Sequence, residues 1–182
     1  MKTFAISLIL SLFSGLSFAQ EDEYEFTPPR FVKQPIENTG CYAYFPDDVE
    51  MEFDLSYSPD SSKVYTGDFL SGDFHYSIIL VQMKDVVLED ATEKEEMLVS
   101  YLDYLQNSFS IVATAGYGKG HTLESNPNAV GMIDYWEDNE ADQWSVKAWA
   151  DGSTMAILFI YGGMEYPSYS AAQLYLDGFR FN

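Results

Sequence analysis

Residues Asn128 to Asn182 constrain the chain most, because three hydrophobic runs follow one another with only turn signals between them, and a short helical pattern and a last strand come after. In the first run Val130, Met132, Asp134 and Trp136 alternate with Gly131, Ile133, Tyr135 and Glu137. Both sets contain large apolar groups, so one strand face packs deeply and the other is partly covered. In the second, Trp144, Val146, Ala148 and Ala150 point one way, and Ser145, Lys147, Trp149 and Asp151 the other. The third, Ser153 to Tyr161, is nearly unbroken from Met155 to Ile160. Period-two alternation predicts a half-buried strand, and a short unbroken apolar run predicts a strand covered on both faces. The turns are Asp138 to Asp142 and the hairpin dipeptide Asp151-Gly152. Pro167 with Ser168 or Ser170 then offers a helix start. Tyr169, Ala172, Leu174, Tyr175 and Leu176 give an apolar face, and Gly178 a stop. Phe179 to Phe181 reads as a last strand. An antiparallel meander packed on by a helix is an α+β solution of two or three layers.

Upstream, Cys41 to Phe45 predicts a first strand. Met51, Phe53, Leu55 and Tyr57 alternate with Glu52, Asp54 and Ser56, which predicts a strand with one wet face. Lys63 to Leu70 is a weaker strand, interrupted at Gly67-Asp68. Phe74 to Met83 carries Ile78 to Val81 at its centre and reads as an interior strand. A long helix is predicted from Thr92 to Phe109. Thr92 is its expected N-cap, with Glu95 completing a capping box, and Leu98, Leu102, Leu105 and Phe109 form its buried stripe. Short strands at Ser110 to Ala115 and Gly120 to Glu124 flank a glycine-rich hairpin or bulge, Gly116 to Gly120.

The amino-terminal residues 1–19 read as a signal peptide. Lys2 supplies the positive end, Phe4 to Leu16 the apolar region, and Ser17-Phe18-Ala19 the small-residue cleavage site. The expected organisation is this leader, an acidic proline-containing lead over 20–40, and a single α+β domain over 41–182. The protein is thus expected in the periplasm or secreted, with no transmembrane segment after cleavage. Cleavage would leave 163 residues of the 182, enough to bury about two-thirds of the unfolded surface in one core. With one cysteine, Cys41, no intramolecular disulfide can form, and that residue reads as a small buried apolar group. The formal charge of −20 becomes −21 once Lys2 is removed. Such a surface argues against nucleic acid and anionic membranes as partners, allows basic proteins or cations, and reads first as a solvated acidic surface.

Motifs for chemistry are sparse. His75 and His121 fall on separate predicted strands without a ligand-spaced partner. There is no Gly-x-Ser-x-Gly, and Gly116 to Gly120 lacks the phosphate-loop spacing. Asp138, Asn139, Glu140 and Asp142 offer oxygens to calcium but lack the pattern of an EF-hand loop. The expectation is therefore a non-enzymatic binding or scaffold protein, with no catalytic residue, metal or cofactor. The alternatives are a small hydrolase using acidic residues and a calcium-stabilised surface protein. The expected partner is a protein, basic in character. Its site is read as Tyr135, Trp149 and Tyr161 ringed by Glu137, Asp138 and Asp142, since alternate residues of consecutive strands can converge on one face. The competing reading packs Trp149 under a helix.

The order of elements resembles the PsbP-like superfamily, including the bacterial DcrB-type proteins. The resemblance rests on the Phe45-Pro46 strand end, hairpin strands, a helix, the meander, and a closing helix running into Phe179-Arg180-Phe181. Gly178-Phe179 stands where Ser-Phe is usual. The resemblance covers Cys41 to Asn182. It implies an α/β/α sandwich around an antiparallel β-sheet, used for binding or scaffolding without a shared catalytic site. Members of the superfamily bind photosystem subunits, a small GTPase or secretion effectors.

Overall fold

The computed structural model describes residues 30–47, 49–162 and 169–182. The expected signal peptide, the first part of the acidic lead, and Pro167 and Ser168 lie outside the described residues. The first hairpin is Phe31–Pro35 (β1) with Tyr42–Pro46 (β2). Next come Asp54–Tyr57 (β3), Lys63–Ser71 (β4) and Phe74–Gln82 (β5). The helix Ala91–Ser108 (α1) leads to Ile111–Thr114 (β6) and Gly118–Leu123 (β7). The meander is Asn126–Asp138 (β8), Gln143–Asp151 (β9) and Thr154–Tyr161 (β10), and the helix Tyr169–Leu176 (α2) follows.

The main sheet is antiparallel, in the order β3-β4-β5-β10-β9-β8-β6, with β7 also paired to β8. The fold is therefore α+β, built on a mostly antiparallel sheet. Composition explains why β10 lies inside the sheet. Its residues Met155 to Ile160 are all buried and offer water no polar face, so both edges and both faces need cover. It receives β5 on one side, Leu158 opposite Ile78, and β9 on the other, Leu158 opposite Lys147.

The sheet separates two cores. On one face Tyr76, Ile78 and Leu80 join Ala156, Leu158 and Ile160 under the β1–β2 hairpin and α2, where Phe45, Tyr175 and Phe179 are buried. On the other, Met132, Trp136, Val146 and Phe159 meet Leu98, Leu102 and Leu105 of α1. That leucine stripe is as the spacing predicts, but α1 begins earlier. Asp90 is the N-cap, accepting from the Glu93 amide at 2.9 Å, while the Glu93 carboxylate takes the Glu89 amide at 3.0 Å. Asp outcompetes Thr92 here because it caps in the same way and adds charge at the positive helix end. Phe109 is the C-cap residue and only partly buried.

Other expectations are corrected. The strand read over Met51 to Tyr57 is confined to β3 at the sheet edge, and all four of its residues are exposed. Met51 and Phe53 do pack, over Gly67, where any Cβ would lie 2.5 Å from the Met51 methyl. That packing lets β4 run unbroken through Gly67 instead of stopping there. Phe179 to Phe181 forms no strand. Arg180 makes a single bridge to Tyr42, and Phe179 is held by burial. Phe31 to Pro35, within the segment read as a lead, is the strand β1, and Ile36 behind it is fully buried. Between Gly118 and His121 the β7–β8 register slips, where Gly120 takes φ +84°, a conformation open to glycine.

Candidate functional site

Helix α1 rests mainly on β8 and β9, so the face it covers extends beyond it under β10, β5, β4 and β3. The uncovered part forms a cleft of about 570 Å³. Ile79, Phe159 and Tyr161 lie on the sheet within it, Phe109 and Trp144 close it toward α1, and Glu52, Asp54 and Asp68 line its acidic side. Pairing register produces this composition. Tyr161 of β10 stands opposite His75 of β5 and Trp144 of β9, so three rings meet in one row across three strands.

The row is stacked. The His75 and Tyr161 centroids are 4.8 Å apart at 12°, Tyr161 and Trp144 4.0 Å at 8°, and Trp144 and Phe109 5.3 Å at 20°. Asp68 terminates it on the acidic side. Its carboxylate meets His75 Nδ1 at 2.9 Å, accepts the Ser77 hydroxyl, and lies 3.5 Å from the Tyr161 hydroxyl. Burial first, and then the Asp68 charge, push the Tyr161 phenol above its ordinary pKa. It therefore remains a neutral donor toward the cleft at physiological pH.

The residues read from sequence as one partner site are divided between the two faces. Tyr161 faces the cleft. Tyr135 and Trp149 lie on the opposite face, since Tyr135 pairs with Ser145 and Trp149 with Ala156. Trp149 is 1% exposed, and its indole donates to the Leu176 carbonyl at 3.0 Å, beneath α2. The indole covers Gly131, whose added Cβ would sit 2.2 Å from the ring. The competing reading of Trp149 under a helix is thus the one observed. Glu137 accepts from Gln143 Nε2 at 3.0 Å. Asp138 is buried and accepts the Trp144 indole at 2.9 Å and the Glu140 and Asp142 amides at 2.9 and 3.0 Å. It holds the turn and fixes Trp144, so its oxygens are turned inward.

His75 adjoins the cleft through Asp68 and Tyr161, whereas His121 lies beside Lys147. Burial and then the Lys147 charge lower the His121 pKa, so the neutral ring accepts from Nζ at 3.0 Å. Asp68, Ser77, Trp144 and Phe109 carry no sequence signal that marks them as site residues. Their convergence depends on β10 pairing with β5, which joins parts of the chain on either side of α1.

The polar group is not arranged as a nucleophile triad. Ser77 and His75 both bind the Asp68 carboxylate, so the order is Ser–Asp–His and the imidazole does not receive the serine proton. Among the described residues no group of three or more His, Cys, Asp or Glu side chains is placed to hold a metal ion. No helix among them is long and apolar enough to cross a membrane. Compared with known proteins, the chain matches no family model and no curated protein.

Proposed function

We propose that the protein is an exported, non-enzymatic binding module whose cleft receives a positively charged group carried on an apolar body. The observation that carries this reading is the stacked row His75–Tyr161–Trp144–Phe109 beside Asp54 and Asp68. Among the described residues no lysine or arginine forms an ion pair with Glu52, Asp54 or Asp68. An apolar floor next to carboxylates that, among the described residues, pair with no lysine or arginine favours a cationic ligand, by burial for its body and attraction for its charge. The overall charge of −20 adds long-range attraction for a basic protein partner. The sequence resemblance to the PsbP-like superfamily, whose members bind or scaffold, points to the same class of function. Export rests on residues 1–19, and the mature chain is expected to begin at Gln20 by intact-mass spectrometry.

Calorimetric titration with phenethylammonium, an aromatic ring on a primary ammonium, tests the cleft. Binding is expected at low ionic strength and should weaken as salt is added. Asp68→Asn should weaken it by about two- to fivefold, the worth of an exposed ion pair of up to about 1 kcal/mol. Affinity indifferent to both changes overturns the reading.

A further inference from the structure

Among the described residues, the cleft lies against a sheet edge that no further strand covers. Strand β3 is terminal in the sheet order, paired on one side to β4. In an antiparallel strand, alternate residues direct N–H and C=O away from the existing partner. Among the described residues, no backbone bond to a further segment is made by Asp54 to Tyr57. Asp54-Leu55-Ser56-Tyr57 contains no proline and no lysine and its register with β4 is regular, so the protections left to this edge are its four-residue length and the Asp54 charge.

Its two faces differ in chemistry. Asp54 stands opposite Thr66 and lines the cleft with Glu52 and Asp68. Leu55 and Tyr57 point to the other face and are 47% and 63% exposed. A strand laid along β3 would thus place every second side chain beside the carboxylates and the intervening ones against Leu55 and Tyr57. The geometry points to β3 as a strand-addition site for an extended peptide of a partner protein, basic at alternate positions and apolar between them. This rests on the proposed function of the cleft and specifies its ligand. Main-chain hydrogen bonds supply affinity and alternate side chains supply selectivity, as in other sheet-edge recognition. Charge selects the occupant. The net charge of −20 opposes pairing with a second copy of this chain, and the carboxylates of Glu52, Asp54 and Asp68 beside the edge attract lysine or arginine.

The test uses a fluorescent octapeptide alternating lysine and valine, and the same peptide N-methylated at alternate residues so that charge is kept and one edge of donors is lost. Polarisation should show the parent peptide binding at least about tenfold more tightly than the better of the two N-methylated registers. Tyr57→Lys, an exposed change that puts a like charge on the edge, should weaken the parent peptide by a similar factor and leave phenethylammonium binding unchanged. Equal binding of parent and N-methylated peptides overturns strand addition, and if phenethylammonium still binds, the cleft reading survives. Loss of both ligands' binding in the unmodified protein overturns both. A concentration-dependent dimer in sedimentation, dissolved by Tyr57→Lys, overturns the peptide as occupant and assigns the edge to a second copy.

Discussion

Lys94 is a buried cation on the apolar face of α1, only 4% exposed. Its ammonium meets the Asn128 carbonyl at 2.9 Å and Asp151 at 2.8 Å, tying the start of the helix to β8 and β9. The Asp151 side chain is 25% exposed and also accepts from Asn126 at 2.8 Å. The two halves of this pair should therefore respond unequally to removal. Asp151→Asn strands an ammonium that has almost no access to water. Removing one partner of a fully buried pair costs about 3–5 kcal/mol, and the wet side of Asp151 reduces the expectation here to about 2–3 kcal/mol. Lys94→Met removes the buried charge, fills similar volume and leaves a carboxylate that water and Asn126 still reach, so about 1 kcal/mol or less is expected. Urea unfolding followed by tryptophan fluorescence compares them directly.

The pair also sets a pH dependence. Burial alone would raise the Asp151 pKa, but the hydrogen bonds from Lys94 and Asn126 and the Lys94 charge outweigh it, and the folded value is lowered. A lowered carboxyl pKa stabilises the fold above the unfolded value of about 3.9, and that contribution is lost as pH falls through the folded value. Wild type should lose more stability than Lys94→Met between neutral pH and this acid range. Equal destabilisation by the two substitutions, or a larger effect from Lys94→Met, refutes the reasoning.

Leu102 is almost fully buried against the sheet, so Leu102→Ala should lower stability by about 2–5 kcal/mol in the same urea assay. Gly131→Ala drives a methyl into the Trp149 ring and should destabilise by about 1–3 kcal/mol while shifting Trp149 emission. All three tryptophans are buried, and acrylamide should quench the native protein weakly and the urea-unfolded protein strongly. Cys41 is buried and its thiol pKa is raised, by burial first, so a thiol reagent should react slowly until urea unfolds the chain.

The meander was legible because β8, β9 and β10 are consecutive and each announces its faces by side-chain period. The leucine stripe of α1 was legible for the same local reason. Lys94 was not, since a lysine on a helix face reads as solvated until Asp151, far along the chain, is brought to it. Met51 to Tyr57 shows the limit of alternation. The pattern is right for a strand, but its apolar side is covered only where Met51 and Phe53 reach over Gly67, and past them Leu55 and Tyr57 meet the sheet edge. The cleft depended on one non-local pairing. Tyr161 was identified from its strand, but its neighbours His75 and Trp144 follow from the order β5-β10-β9, which hydrophobic period does not specify. Tyr135 and Trp149 were grouped with it across strands whose faces are fixed by register, and register set them on the opposite side of the sheet.

The central claim is that a cationic ligand seats on the stacked rings beside Asp68. Isotope-filtered NMR on the phenethylammonium complex, reading contacts between the ligand ring and protein side chains, tests it most directly. The account predicts contacts from the ligand to Ile79, Phe159 and Tyr161, with amide shifts concentrated at Thr66, Asp68 and Ser77. Contacts to Tyr135 or α2, on the opposite face, or saturable binding with no contact to Tyr161, would contradict it.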